Sequence, residues 1–134
     1  MKYIMLAICA LMLSFVSKAQ NIISYKVKTP QNASTRTLIL DAIRDDLRKS
    51  ERQEFVFVVD KLNLYNGYAW FAGSVQRKDG KPVNYNTDWA DCCHVEALLA
   101  KRGSKWVVID IGVFSTDVWY DGIWNKWKLP KSMF

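Results

Sequence analysis

The chain has 134 residues, with 19 Lys and Arg against 13 Asp and Glu and a formal net charge of +6. That length holds one compact domain and excludes two of ordinary size. The positive excess is mild and scattered, as at Arg44, Arg48, Lys49, Arg52, Arg77, Lys78, Lys101 and Lys105, and reads as a solvated surface of mixed sign, not a nucleic-acid footprint.

Met1 to Ala19 has the three-part layout of a secretory signal peptide. Lys2 gives a short basic start, Ile4 to Val16 is almost wholly apolar, and Ser17-Lys18-Ala19 puts small residues at −3 and −1 before Gln20. Cleavage is expected between Ala19 and Gln20, which places residues 20–134 in the periplasm or outside the cell as a single domain. The apolar run falls short of the roughly 20 residues a bilayer span needs, so no transmembrane segment is expected after cleavage. Cys9 follows Ile8 and not a small residue, which argues against a lipid anchor. Cleavage removes Lys2 and Lys18 and no acid, lowering the net charge from +6 to +4. Export also takes nucleic acid and cytosolic cofactors off the list of partners.

Asn21 to Lys28 reads as a short amphipathic strand or an ordered lead-in, and Pro30 to Ser34 as a polar breaker. A helix follows, capped by Ser34 or Thr35 and ending near Ser50. Leu40, Ile43 and Leu47 form its apolar stripe, broadened by Ile39. Asp41–Arg44 and Asp45–Arg48 are pairs at i, i+3 that offset the like-charge Asp41–Asp45 neighbours. From Glu54 the pattern turns to strands. Phe55-Val56-Phe57-Val58-Val59 is β-rich on both faces, Asn66-Gly67 is a two-residue hairpin signal, and Tyr68 to Gln76 is the return strand. Lys78 to Asp91 is a long connection, which makes it a candidate binding loop. Cys93 to Lys101 and Lys105 to Phe114 form a second hairpin around Arg102-Gly103-Ser104. Ser115-Thr116-Asp117 caps a short final helix or turn before an aromatic tail.

These elements give an α+β domain: one long helix packed on a curved four-stranded antiparallel sheet, with a short C-terminal helix or turn. The last strand alternates Val107, Ile109, Ile111 and Val113 on one face with Trp106, Val108 and Phe114 on the other. Two apolar faces need two covers, and one helix supplies only one. Val118 to Trp127 can supply the second, and a partner chain or a ligand can do the same.

Helix-plus-curved-sheet organisation of this kind resembles the cystatin/NTF2-like group, whose members have unrelated functions. Leu40-Asp41-Ala42-Ile43-Arg44, Gly67-Tyr68-Ala69-Trp70-Phe71, Val95-Glu96-Ala97-Leu98-Leu99, Gly103-Ser104-Lys105-Trp106-Val107-Val108 and Ser115-Thr116-Asp117-Val118-Trp119 together resemble an uncharacterised family of small exported bacterial proteins. The resemblance runs from about Thr37 to Phe134. It implies export and a single domain, and it carries over no catalytic or binding residues.

Three constellations could carry chemistry. Cys92, His94 and Glu96 share one strand face, the order of a thiolate, an imidazole and a carboxylate that zinc accepts. Alternate strand residues lie about 7 Å apart, however, and His94 is the single histidine. No metal and no cofactor are therefore expected. The same geometry counts against Cys92 as a nucleophile activated by His94. A bond between adjacent Cys92 and Cys93 closes almost no loop, so the pair is a poor staple. Glu96 and Asp110 interrupt otherwise apolar strands, and counting back from the turn sets them opposite one another to within about two residues. Paired carboxylates on an apolar face push one pKa up, the arrangement of many acid–base sites. Trp70, Tyr85, Trp89 and Trp106, with Tyr68, could line an aromatic groove for a glycan or peptide, although aromatics at such spacing are commonly core.

Two functions follow. The first is a non-enzymatic exported binding domain that meets a protein, peptide or cell-envelope ligand, with a homodimer as its simplest form. The other is a small hydrolase or isomerase using Glu96 and Asp110 with His94. No Gly-rich phosphate loop or nucleophile elbow supports the latter.

Overall fold

Five antiparallel strands in chain order form one open sheet in the computed structural model, which describes residues 20–134. The signal segment assigned above, Cys9 included, lies outside the described residues. The strands are β1 (Ile23–Ser24), β2 (Phe55–Tyr65), β3 (Tyr68–Arg77), β4 (His94–Arg102) and β5 (Lys105–Val113), and helix α1 (Ala33–Glu51) separates the first two. The four-strand expectation is corrected to five. Ile23 and Ser24 pair with Leu64 and Asn63, so the lead-in becomes a short edge strand. Among the described residues no helix is long and apolar enough to cross a membrane.

α1 starts one turn-residue earlier than its expected caps, because Asn32 closes the turn before it. The Asn32 Oδ1 accepts from the Thr29 N–H at 2.9 Å, and its Nδ2 donates to the Val27 carbonyl at 2.9 Å. With its amide engaged on both sides and buried, Asn32 fixes the first turn, and helix dihedrals begin at Ala33. Ile39, Leu40, Ile43 and Leu47 form the buried stripe, and the Asp41–Arg44 and Asp45–Arg48 pairs form as expected. The helix stops at Arg52, whose φ of 56° is left-handed and whose N–H returns to the Arg48 carbonyl.

Asn66 and Gly67 have φ of 46° and 74°, the double positive pair of a type I′ turn, and this sets Tyr65 opposite Tyr68. The second turn holds two residues, Gly103 and Ser104, so Arg102 faces Lys105.

Two bulges decide which side chain meets which cover. In β2 the pairing steps from Val59↔Gly73 to Lys61↔Ala72, leaving Asp60 extra. Phe55, Phe57 and Val59 face the helix before the bulge, and Leu62 and Leu64 do so after it. In β5 the register steps from Val108↔Leu99 to Asp110↔Leu98. Strict alternation therefore fails there. Trp106 and Val108 share the helix side with Ile111 and Val113, while Ile109 turns to the opposite side. An inserted residue reverses the facing of everything beyond it.

The helix-side core joins α1 to Phe55, Leu62, Ala69, Phe71, Val75, Val95, Ala97, Leu99 and Phe114. The opposite face is covered by the chain's own tail. Helix α2 (Ile123–Trp127) and a 3-10 turn (Lys131–Met133) bring Ile123, Leu129 and Met133 onto Trp70 and Leu98. Tyr120 and Phe134 rings lie 4.9 and 4.8 Å from Trp70, which is 1 % exposed. Lys61 and Asn63, turned to this side by the β2 bulge, donate to the Phe134 oxygen (2.6 Å) and the Met133 carbonyl (2.9 Å).

Candidate functional site

Glu96 is the best-ordered polar group on the tail-side face. It stands opposite Gly112, not Asp110. One residue of the difference comes from the two-residue turn and one from the β5 bulge. Gly112 matters because the Trp119 indole lies directly over it: a Cβ there would meet the Trp119 Nε1 at 1.9 Å. That space lets the Trp119 Nε1–H donate to Glu96 Oε2 at 3.2 Å. The other carboxylate oxygen faces His94, with 3.9 Å between Oε1 and Nε2. The carboxylate is thus held between an indole and an imidazole, with the Glu96 side chain 15 % and the His94 side chain 38 % exposed.

Asp110 belongs elsewhere. It faces Leu98, its Oδ2 lies 3.8 Å from Lys126 Nζ, and it lines a shallow hollow of about 290 Å³ with Trp119, Asp121 and Lys126. Trp119 is the one side chain common to the two positions. An indole donor orients an ionised carboxylate well. What the arrangement does chemically is fix Glu96 as an acceptor.

Cys92 is joined to Cys93 by a disulfide, and both are half-buried beside the start of β4. Among the described residues no three His, Cys, Asp or Glu side chains are grouped to hold a metal ion. The four aromatic candidates are dispersed. Trp70 is enclosed under the tail, Tyr85 packs on the helix-side core with its ring 6.0 Å from Phe114, and Trp106 flanks the same core. Trp89, on the long connection, is 74 % exposed.

That connection is anchored at its middle. Gln53 uses both ends of its amide on the Asn84 backbone, donating to the carbonyl at 2.8 Å and accepting from the N–H at 2.9 Å. A cleft of about 720 Å³ lies beside this anchor, between residues 51–54 and 77–79. Its acids already have partners. The Arg48 guanidinium bonded to Glu54 holds that carboxyl below the usual glutamate range, and Arg77 does the same to Asp79.

The Trp119–Glu96 bond is not evident from the sequence pattern. Its signal was present in two irregularities, a glycine inside the β-branched run of β5 and an acid inside the apolar run of β4. Each marks a place where something other than the sheet must fit. No family model, curated protein or solved structure matches the chain.

Proposed function

We propose that the chain is an exported binding domain, delivered to the periplasm or beyond by residues 1–19, and not an enzyme. It meets a protein, peptide or cell-envelope ligand through the Lys78–Asp91 connection and the part of the sheet that the tail leaves open. The observation that carries this reading is the separation of the acid–base candidates. Glu96 is committed to Trp119, Asp110 sits beside Lys126 in a different hollow, and His94 opens to solvent. Val56 and Val58, 40 % and 45 % exposed, lie on the tail-side face beyond the tail, and with Trp89 they offer apolar area to a partner. A homodimer through Val56 and Val58 is the simplest form. The likeness to the cystatin/NTF2-like group belongs to this proposal, supported by the order of one helix followed by four long antiparallel strands.

The test uses photo-crosslinking residues at Trp89 and Val58 in a host that expresses the full chain. Adducts to one envelope component, or to a second copy, are expected, with the purified protein beginning at Gln20. No adduct at either position, or a cytoplasmic product that still begins at Met1, sinks the reading. The rival hydrolase or isomerase has one observation in its favour, the 3.9 Å approach of Glu96 to His94. Turnover of any ester, amide or glycoside that Glu96→Gln abolishes would replace the first reading with the second.

A further inference from the structure

The two hairpin turns lie at one end of the sheet, and a hollow of about 430 Å³ opens between them. Its size falls within the roughly 300–1,000 Å³ of small-ligand sites. Tyr65 and Tyr68, paired across the Asn66-Gly67 turn, and Trp106 supply its aromatic walls. All three rings are half-buried, so each has one side fixed by packing and one side available. Tyr68 rests on Trp127 at 6.2 Å between ring centres, and Trp106 is seated against the helix-side core. The rim carries Asn21, Asn66 and Lys101, and no acid lines the hollow. Among the described residues neither amide side chain makes a hydrogen bond, and Lys101, like Arg102 and Lys105 across the adjoining turn, makes no ion pair within 4.0 Å.

We infer that this hollow is a binding site for a saccharide bearing a carboxylate. A sugar ring presents an apolar C–H face, which packs on the negative face of an aromatic ring, and a rim of hydroxyls. A side-chain amide both donates and accepts, and so does a hydroxyl. A proline-rich peptide also docks on aromatic grooves, but each proline lacks an N–H and leaves the amide oxygens without a donor. Lys101, with Arg102 and Lys105 behind it, gives the rim its positive sign and selects an acidic sugar over a neutral one. Flat walls held in place by packing need little ordering on binding, the condition under which a shallow site holds a ligand. The inference rests on the envelope-ligand reading above and names the ligand class and the place.

Its test is an NMR titration of protein purified after expression of the full chain, with a tetragalacturonate, a neutral N-acetylglucosamine tetramer and a proline-rich decapeptide as probes. The acidic sugar should move the Trp106 indole and the Asn21 and Asn66 amide signals, and bind at least tenfold more tightly than the neutral one. Tyr65→Leu, which keeps apolar packing but removes the flat ring, should weaken the acidic probe about tenfold. Lys101→Gln, at an exposed site, should reduce the preference for acid to near unity while the spectrum stays folded. Equal binding of both sugars, shifts confined to other residues, or binding of the decapeptide alone overturns the assignment. The crosslinking at Trp89 and Val58 reads other surfaces, so a failure here leaves that experiment to decide the broader reading separately.

Discussion

The two faces of the sheet are covered in different ways. The helix side is closed by a regular element whose four buried aliphatics recur at helical spacing, and strand residues from β2 to β5 meet them. The tail side is closed by five helical residues and a 3-10 turn, whose hold comes from aromatic rings stacked around Trp70 and from two side chains of β2 that grip the last two residues. A long helix satisfies its own backbone and needs little from the sheet beyond apolar area. An irregular tail must be tied, group by group. The helix side therefore behaves as a fixed core, and the tail side as a cover whose parts can be loosened one at a time.

Removal of residues 118–134 is the most severe way to break this comparison. It uncovers Trp70 and Leu98 together and deletes every ring that packs on them. The loss exceeds the roughly 3–5 kcal/mol of a single buried aromatic truncation, more than a small domain can absorb. Circular dichroism should show no cooperative thermal transition. A truncated chain that still melts sharply within a few degrees of the full one would mean that the tail is an accessory and not a cover.

Glycine-to-alanine changes on the two sides sharpen the same contrast. A Cβ at Gly73 would stand 2.3 Å from the Val58 carbonyl oxygen, which is strand backbone and cannot swing aside. A Cβ at Gly112 would meet the Trp119 indole, which can move with the tail. Gly73→Ala should cost about 3 kcal/mol, at the upper end for overpacking, and Gly112→Ala about 1–2. Denaturant melts measure both. Gly112→Ala should also shift Trp119 fluorescence, since the bond to Glu96 is broken, whereas Gly73→Ala should leave that emission alone. Equal costs would remove the distinction between a fixed side and a yielding one.

Lys61→Met addresses the grip itself. It deletes the charged donor to the Phe134 oxygen and keeps the side chain's length. About 1–2 kcal/mol is expected, in the range of hydrogen bonds to charged groups. Hydrogen exchange should quicken at residues 123–134 and stay unchanged in α1. Uniform quickening across both regions would show that the tail and the helix side open as one unit.

The sequence announced the helix side far better than the tail side, for a physical reason. The stripe of Ile39, Ile43 and Leu47 and the ion pairs of α1 are local, fixed by spacing along one element, and the Asn66-Gly67 turn is fixed by its own dihedral demand. That the aromatic tail could be the second cover was legible from the count of apolar faces. What composition could not supply was the register. The bulges at Asp60 and in β5 come from competition between the two covers for side chains. Their effect is to put Ile109 and Asp110 on the same side and to replace the expected Glu96–Asp110 pair with Glu96–Gly112. Trp70 shows the other limit. A tryptophan in a strand reads equally as groove or core, and only the tail's path over it decides.

The smallest expected effect concerns a flaw in the tail cover. Trp127 has its Nε1–H buried without a partner, the one such side-chain atom among the described residues. A buried donor left unpaired carries a penalty of about 1–3 kcal/mol. Trp127→Phe removes that donor while keeping a ring for Tyr68 to rest on. The gain from deleting the orphan group opposes the loss of the indole's extra apolar area. A change within about 0.5 kcal/mol of zero, or a slight stabilisation, is therefore expected where a large-to-small change in a core ordinarily costs more. Denaturant melts read the difference directly. A loss of 2 kcal/mol or more would show that the indole nitrogen is satisfied in solution, for instance by a trapped water, and that the tail is as fully satisfied as the helix it faces across the sheet.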